Sequence, residues 1–82
     1  MKHHLLICLL LGVLSQTVVA QGVLPLSRTT CPASHPIKGN LSNRGEKIYH
    51  LPGGAYYKRT YPERCFKTRQ EAEKAGFRAS KR

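Results

Sequence analysis

The sequence predicts an α+β fold, in which a small β-hairpin or short sheet packs on one C-terminal helix and is stapled by a disulfide. Two short, partly alternating apolar segments flank a turn-forming stretch, a helix start and stop signal follows Cys65, and Cys31 is available to pair with Cys65. The chain has 82 residues. A domain of that size buries little apolar surface, so we expect it to need a covalent staple.

Residues 37–41 and 47–51 are the two segments predicted to form the hairpin. Asn43 and Gly45 lie between them and adopt turn conformations at low steric cost. Pro52 ends the second segment, because proline cannot donate to a ladder. Residues 64–67 form a third short strand in this prediction.

The helix is predicted over residues 69–75. Thr68 and Glu71 form a capping box, in which the Thr68 side chain accepts from the Glu71 amide and the Glu71 carboxylate reaches back. Gly76 supplies a left-handed stop, and Phe77 then folds back onto the last turn. Residues 78–82 are predicted to be a basic tail.

Residues 1–20 resemble a cleaved secretory leader. A basic start precedes an apolar run over residues 5–14, and Ala20 offers a small residue at the cleavage position. A membrane anchor is the alternative, but polar residues 15–17 interrupt the run before it reaches about 20 residues. We therefore expect a secreted or periplasmic protein with a leader (1–20), a flexible tether (21–30) and a basic α+β domain (31–82).

Cys31 and Cys65 are the two cysteines that remain after removal of the leader, and an exported small domain favours a disulfide between them. A metal site is the first alternative, but His35 and His50 lack the spacing of zinc ligands. A catalytic thiol is the second alternative, although an exported thiol without a partner would oxidise. No metal and no cofactor are expected.

The charge is strongly positive. The whole chain carries +10, and residues 21–82 contain 13 Lys or Arg, four Glu and no Asp. Such a surface attracts polyanions. The length excludes nucleotide-binding half-domains, and the lack of Asp excludes the calcium site of thermonucleases.

Residues 56–61 contain three tyrosines together with one lysine and one arginine, a combination that is typical of single-strand binding surfaces. The alternative is that Tyr56 or Tyr57 packs over the hairpin and the cations are solvated. The residues predicted to bind a polyanion are Tyr57, Lys58, Arg59, Arg78, Lys81 and Arg82.

His50 is the candidate acid–base residue, with Glu46 or Glu63 as a partner. A histidine hydrogen-bonded to the backbone is the favoured alternative, because no paired carboxylates accompany it. No catalytic residue is therefore assigned.

Residues 37–82 resemble the sunset domain, a module of exported bacterial proteins that also follows thermonuclease domains. The resemblance is carried by short segments along the chain, at residues 37–40, 45–50, 52–53, 56–57, 65–66, 71–72 and 75–78. The resemblance implies an architecture and no particular activity.

A fainter resemblance links residues 50–54 and 75–82 to the zinc-binding domain of Ada-type DNA repair proteins. His50, Gly54 and Ser80 occupy positions where that family has cysteines. Zinc binding and methyl transfer are therefore not expected.

We interpret the sequence as an exported, non-enzymatic basic module that binds nucleic acid or an anionic cell-envelope polymer. We expect no small-molecule substrate and no membrane span after leader removal. The alternatives are a nuclease-associated accessory domain with weak hydrolysis through His50, and a structural envelope protein that binds another protein.

Overall fold

The computed structural model describes residues 21–82, so the predicted leader lies outside the described residues. Four strands and one helix follow in the order β1 (Ile37–Leu41), β2 (Lys47–His50), β3 (Arg64–Phe66), α1 (Arg69–Lys74) and β4 (Arg78–Ala79). The strands form one mixed sheet in the order β3-β1-β2-β4. The predicted α+β class is confirmed.

The hairpin forms as the sequence predicts. Strands β1 and β2 pair antiparallel, with Lys38 opposite His50 and Gly39 opposite Tyr49. In the turn, Gly45 has a φ of 80° and its amide donates to the Ser42 carbonyl. Strand β2 ends at His50, one residue earlier than predicted.

Helix α1 begins and ends at the predicted signals. The Thr68 hydroxyl accepts from the Glu71 amide at 3.1 Å, whereas the Glu71 carboxylate accepts from the Lys67 amide. Gly76 has a φ of 94°, a conformation that favours glycine, and the next amide, of Phe77, donates to Ala72.

The last strand corrects one prediction. Residues 78–82 were expected to be a tail, but Arg78 and Ala79 pair in parallel with Ile48 and Tyr49 of β2. Two residues carry no alternating pattern, so the sequence alone could not reveal this strand. Strand β1 is antiparallel to both β2 and β3, and β4 is parallel to β2, so the two edge strands β3 and β4 run in the same direction. Helix α1 connects these two strands from one edge of the sheet to the other.

The core lies between α1 and one face of the sheet. It consists of Ile37, Tyr49, Phe66, Ala72 and Phe77, and the two phenylalanine rings meet edge to face at 5.1 Å. Gly39 lies beneath these rings, where a Cβ would come within 2.8 Å of the Phe66 ring. A side chain at this position would therefore displace the aromatic core.

The predicted disulfide between Cys31 and Cys65 is present, with 5.8 Å between the two Cα atoms. Cys65 is fully buried in β3. The backbone of Val23 also exchanges two hydrogen bonds with Cys65. The start of the segment predicted to be a tether thus contacts the edge of the sheet.

Replacing both disulfide cysteines, Cys31→Ser with Cys65→Ala, should lower the free energy of unfolding by about 3 to 4 kcal/mol. The reason is that the unfolded chain regains the entropy of a 34-residue separation. Urea denaturation of the oxidised protein and the variant gives the difference. Equal midpoints would contradict the role assigned to the disulfide.

Candidate anion-binding site

A buried lysine organises the sheet face opposite the helix. Lys38 is only 3% exposed, and its ammonium donates to the carbonyls of Tyr57 at 2.8 Å and Thr60 at 3.2 Å. The same nitrogen lies 4.4 Å from the centre of the Tyr57 ring. Burial lowers the pKa of Lys38, because desolvation disfavours the charged form. These contacts hold the 51–63 loop, which joins β2 to β3, against the sheet.

Tyr57 is part of this anchor. Its hydroxyl donates to the Pro36 carbonyl, and burial raises its pKa. Its side chain is half-buried, and the Lys38 ammonium lies over its ring. This geometry agrees with the alternative in which Tyr57 packs over the hairpin, while a role for Tyr57 in binding stays a prediction.

Tyr56 is contacted by two arginines that are far apart in sequence. The Arg59 guanidinium carbon is 4.6 Å from the centre of the Tyr56 ring, and that of Arg82 is 5.8 Å away. Arg82 also donates to the Tyr56 hydroxyl at 3.0 Å. We call Arg59, Tyr56 and Arg82 the Arg–Tyr–Arg cluster.

No carboxylate neutralises this cluster within residues 21–82. The single ion pair of these residues joins Arg78 to Glu46 at 3.0 Å. Two guanidinium groups held near one ring repel each other, and solvent screens that repulsion only in part. The arrangement is therefore suited to an anionic ligand.

A cleft of about 510 Å³ opens beside the cluster. Its lining consists of Asn40, Leu41, His50, Tyr56, Arg59, Thr60, Tyr61 and Glu63. Tyr61 is 54% exposed, and the Arg28 guanidinium carbon lies 4.9 Å from the centre of its ring. Arg82 also borders a smaller cavity of about 190 Å³ that reaches Arg69 and Ser80.

His50 lies in the floor of the cleft, directly opposite Lys38 in the sheet. It is 8% exposed, and its Nε2 donates to the Asn40 side-chain oxygen at 3.2 Å. Its Nδ1 is buried without a hydrogen-bond partner among residues 21–82. Burial first, and then the Lys38 charge, lower the pKa of His50.

The structure brings together only some of the residues predicted to bind a polyanion. Arg59 and Arg82 share Tyr56, and Lys58 is exposed in the same loop. Arg78 is occupied by its ion pair with Glu46, and Lys81 is exposed.

The contribution of Tyr56 as the common partner of two arginines was not predicted. The sequence analysis noted only that aromatic and basic residues occur together over residues 56–61. Arg82 was predicted to bind a polyanion, but nothing in the sequence indicated its contact with Tyr56, which depends on the pairing of β4. The stacking of Arg28 on Tyr61 likewise depends on how the segment before Cys31 lies in the fold.

Residues 21–82 contain no group of three or more His, Cys, Asp or Glu side chains arranged to hold a metal ion. Within the same range, no helix combines the length and apolar character needed to cross a membrane.

The described residues thus form a small, basic, disulfide-bonded α+β domain with an exposed arginine–tyrosine surface. The family model ArfC matches residues 15–79, which is most of the chain, and the chain therefore belongs to the ArfC family. No curated protein and no solved structure matches the chain.

The family match corrects both resemblances suggested by the sequence. The interpretation as a sunset domain, with a fainter Ada-type scaffold, is wrong, because the family that matches is ArfC. Gly45, Glu71 and Gly76, which contributed to the resemblance, serve a hairpin turn, a helix cap and a helix stop. These are local backbone requirements that unrelated small domains share.

Stability should fall on acidification because of His50. The pKa of His50 is lowered in the folded protein, so the unfolded chain takes up a proton first as the pH drops through about 6.5. The loss should reach at most about 1.4 kcal/mol per pH unit for this group and level off below the folded pKa. Urea denaturation at several pH values from about 7.5 to about 5, a range that spans the ordinary pKa of histidine, measures this loss of stability.

The His50→Gln variant should lose this pH dependence, since glutamine retains a donor for Asn40 and does not titrate in this range. The His35→Gln variant is the matched control and should keep it. An unchanged profile in His50→Gln would assign the pH dependence to other groups.

Replacing Lys38 with Met should loosen the 51–63 loop. The substitution keeps the length of the side chain but leaves the Thr60 carbonyl without a donor, whereas the Tyr57 carbonyl still accepts from the Thr60 amide. An unsatisfied buried polar group costs about 1 to 3 kcal/mol. Hydrogen exchange should accelerate at the Thr60 amide, which donates to Tyr57, and full retention of its protection would refute the anchoring role.

Proposed function

We propose that this protein is an exported, non-enzymatic binding module for phosphate-rich polyanions, with nucleic acid as one source of such phosphates. The observation that carries the proposal is the Arg–Tyr–Arg cluster, in which Arg59 and Arg82 share one ring and have no acidic partner in the described chain. Guanidinium groups bind phosphate oxygens in a bidentate manner.

The surrounding charge supports the same proposal. Residues 21–82 carry nine more basic than acidic side chains, and a surface of this sign raises the local concentration of polyanions. Lys58 is exposed next to Arg59, and the Arg28 guanidinium lies over the ring of Tyr61, which lines the cleft. A chain-like anion in the cleft would contact Arg59 in the lining and approach Lys58 and Arg28 beside it.

Export is supported by two observations. Disulfides persist in oxidising compartments, and one joins Cys31 to Cys65. The first 20 residues have the composition of a secretory leader. A polyanion outside the cytoplasm, such as extracellular DNA or a phosphate-bearing envelope polymer, would then be the partner.

The salt dependence of binding tests the proposal. The dissociation constant for a single-stranded oligonucleotide should rise steeply with salt, by about 0.7 in log–log slope for each neutralised phosphate. The double variant Arg59→Ala, Arg82→Ala should lower the slope by about 1.4, because two phosphate contacts are lost. Fluorescence anisotropy at graded salt gives the slope, and thermal melting checks the fold.

A charge-matched control separates the cluster from general attraction. Arg44 in the hairpin turn and Lys74 in α1 are exposed, and their double replacement with Ala removes the same charge. This control should change the slope by less than half as much as the cluster variant. Equal changes in both double variants would contradict a localised site, and an absence of binding would contradict the function itself.

A further inference from the structure

Cations lie over four of the six aromatic rings of residues 21–82. Five cation–ring pairs occur within this range, at 4.4 to 5.8 Å from the ring centres, within the distance at which a ring attracts a cation. Tyr56, Tyr57 and Tyr61 each carry a cation over the ring, and the fourth tyrosine, Tyr49, is buried with its hydroxyl on Glu73. On the covered face of each ring, a stacking nucleobase would compete with the guanidinium or ammonium already there.

Polar side chains that line the cleft already form hydrogen bonds within the protein. The Asn40 side-chain oxygen accepts from His50, and the Thr60 hydroxyl donates to the Tyr56 carbonyl. A carboxylate oxygen of Glu63 accepts from the Leu41 amide at 2.8 Å. Amide, hydroxyl and carboxylate groups read base edges, as arginine does at guanine. In this cleft, such groups already hold the fold together.

The arginines differ from these floor residues. A guanidinium that lies over an aromatic ring keeps N–H donors at its edge available for an oxyanion, and its orientation is already restricted. Arg59 and Arg28 lie over Tyr56 and Tyr61 in this way, and both rings line the cleft. The polar groups that remain available to a ligand are thus mainly guanidinium groups, whose planar fork matches the oxygens of a phosphate.

We propose that this site recognises the phosphate groups of its ligand and not the bases, so that a base-free phosphate chain such as inorganic polyphosphate is a sufficient ligand. The inference rests on the proposed function, because it concerns the same cleft and the same arginines. It narrows the ligand class to phosphate chains that bind through their phosphate groups alone, whatever groups link those phosphates.

Three ligands with equal numbers of phosphates test the inference on the intact oxidised protein. They are an oligothymidylate, an abasic phosphodiester chain and inorganic polyphosphate. Stacking on a single base would favour the oligothymidylate by about 5- to 150-fold. We expect instead that the dissociation constants of the oligothymidylate and the abasic chain agree within about twofold, with equal salt slopes, and that polyphosphate displaces the oligothymidylate completely.

The conservative variant Arg59→Lys adds a second readout. It keeps the charge but loses the planar fork, so binding of all three ligands should weaken by one common factor. Arg44→Lys is the matched control and should leave all three dissociation constants unchanged. Thermal melting of each variant establishes that the fold is retained.

The outcomes separate this inference from the proposed function. Binding of the oligothymidylate at least about fivefold tighter than the abasic chain, with the advantage lost in Tyr61→Ala, would overturn the inference and leave polyanion binding intact. Failure of polyphosphate to displace the oligothymidylate would overturn it as well. An absence of binding to all three ligands would overturn the proposed function and the inference together.

Discussion

The buried ammonium of Lys38 is the interaction on which the arrangement of the ligand-facing surface depends. A cation loses much hydration when it is 3% exposed, and here two backbone carbonyls and the Tyr57 ring replace water. The carbonyls belong to a loop that has no strand or helix of its own. Lys38 thereby places Tyr56 and Arg59 on the sheet face opposite the helix.

The two faces of the sheet are stabilised by different means. On one face, α1 covers an aromatic core, which is possible because Gly39 leaves space for the rings of Phe66 and Phe77. On the other face, a covalent bond at Cys65 and the Lys38 anchor replace a second hydrophobic layer. A domain this small has too little apolar surface for two such layers.

Because the helix covers one face of the sheet and the 51–63 loop covers the other, the Arg–Tyr–Arg cluster lies on the face opposite the helix. The 51–63 loop contributes Tyr56 and Arg59, and the crossing of α1 returns the chain so that β4 pairs with β2 and Arg82 reaches the Tyr56 hydroxyl. The positive charges are held close by aromatic contacts and not by acids. The ArfC match over residues 15–79 includes Tyr56 and Arg59 of the cluster but not Arg82.

The sequence by itself determined the elements whose hydrogen bonds join near neighbours. The hairpin turn at Gly45, the Thr68 cap and the Gly76 stop depend on a few consecutive residues, and the disulfide followed from the cysteine count. Only the tertiary structure decided that residues 78–79 form β4, that Lys38 is buried, and that Arg59 and Arg82 share one ring. Those features join residues about 20 or more positions apart, so they depend on how the elements pack and leave no local pattern in the sequence.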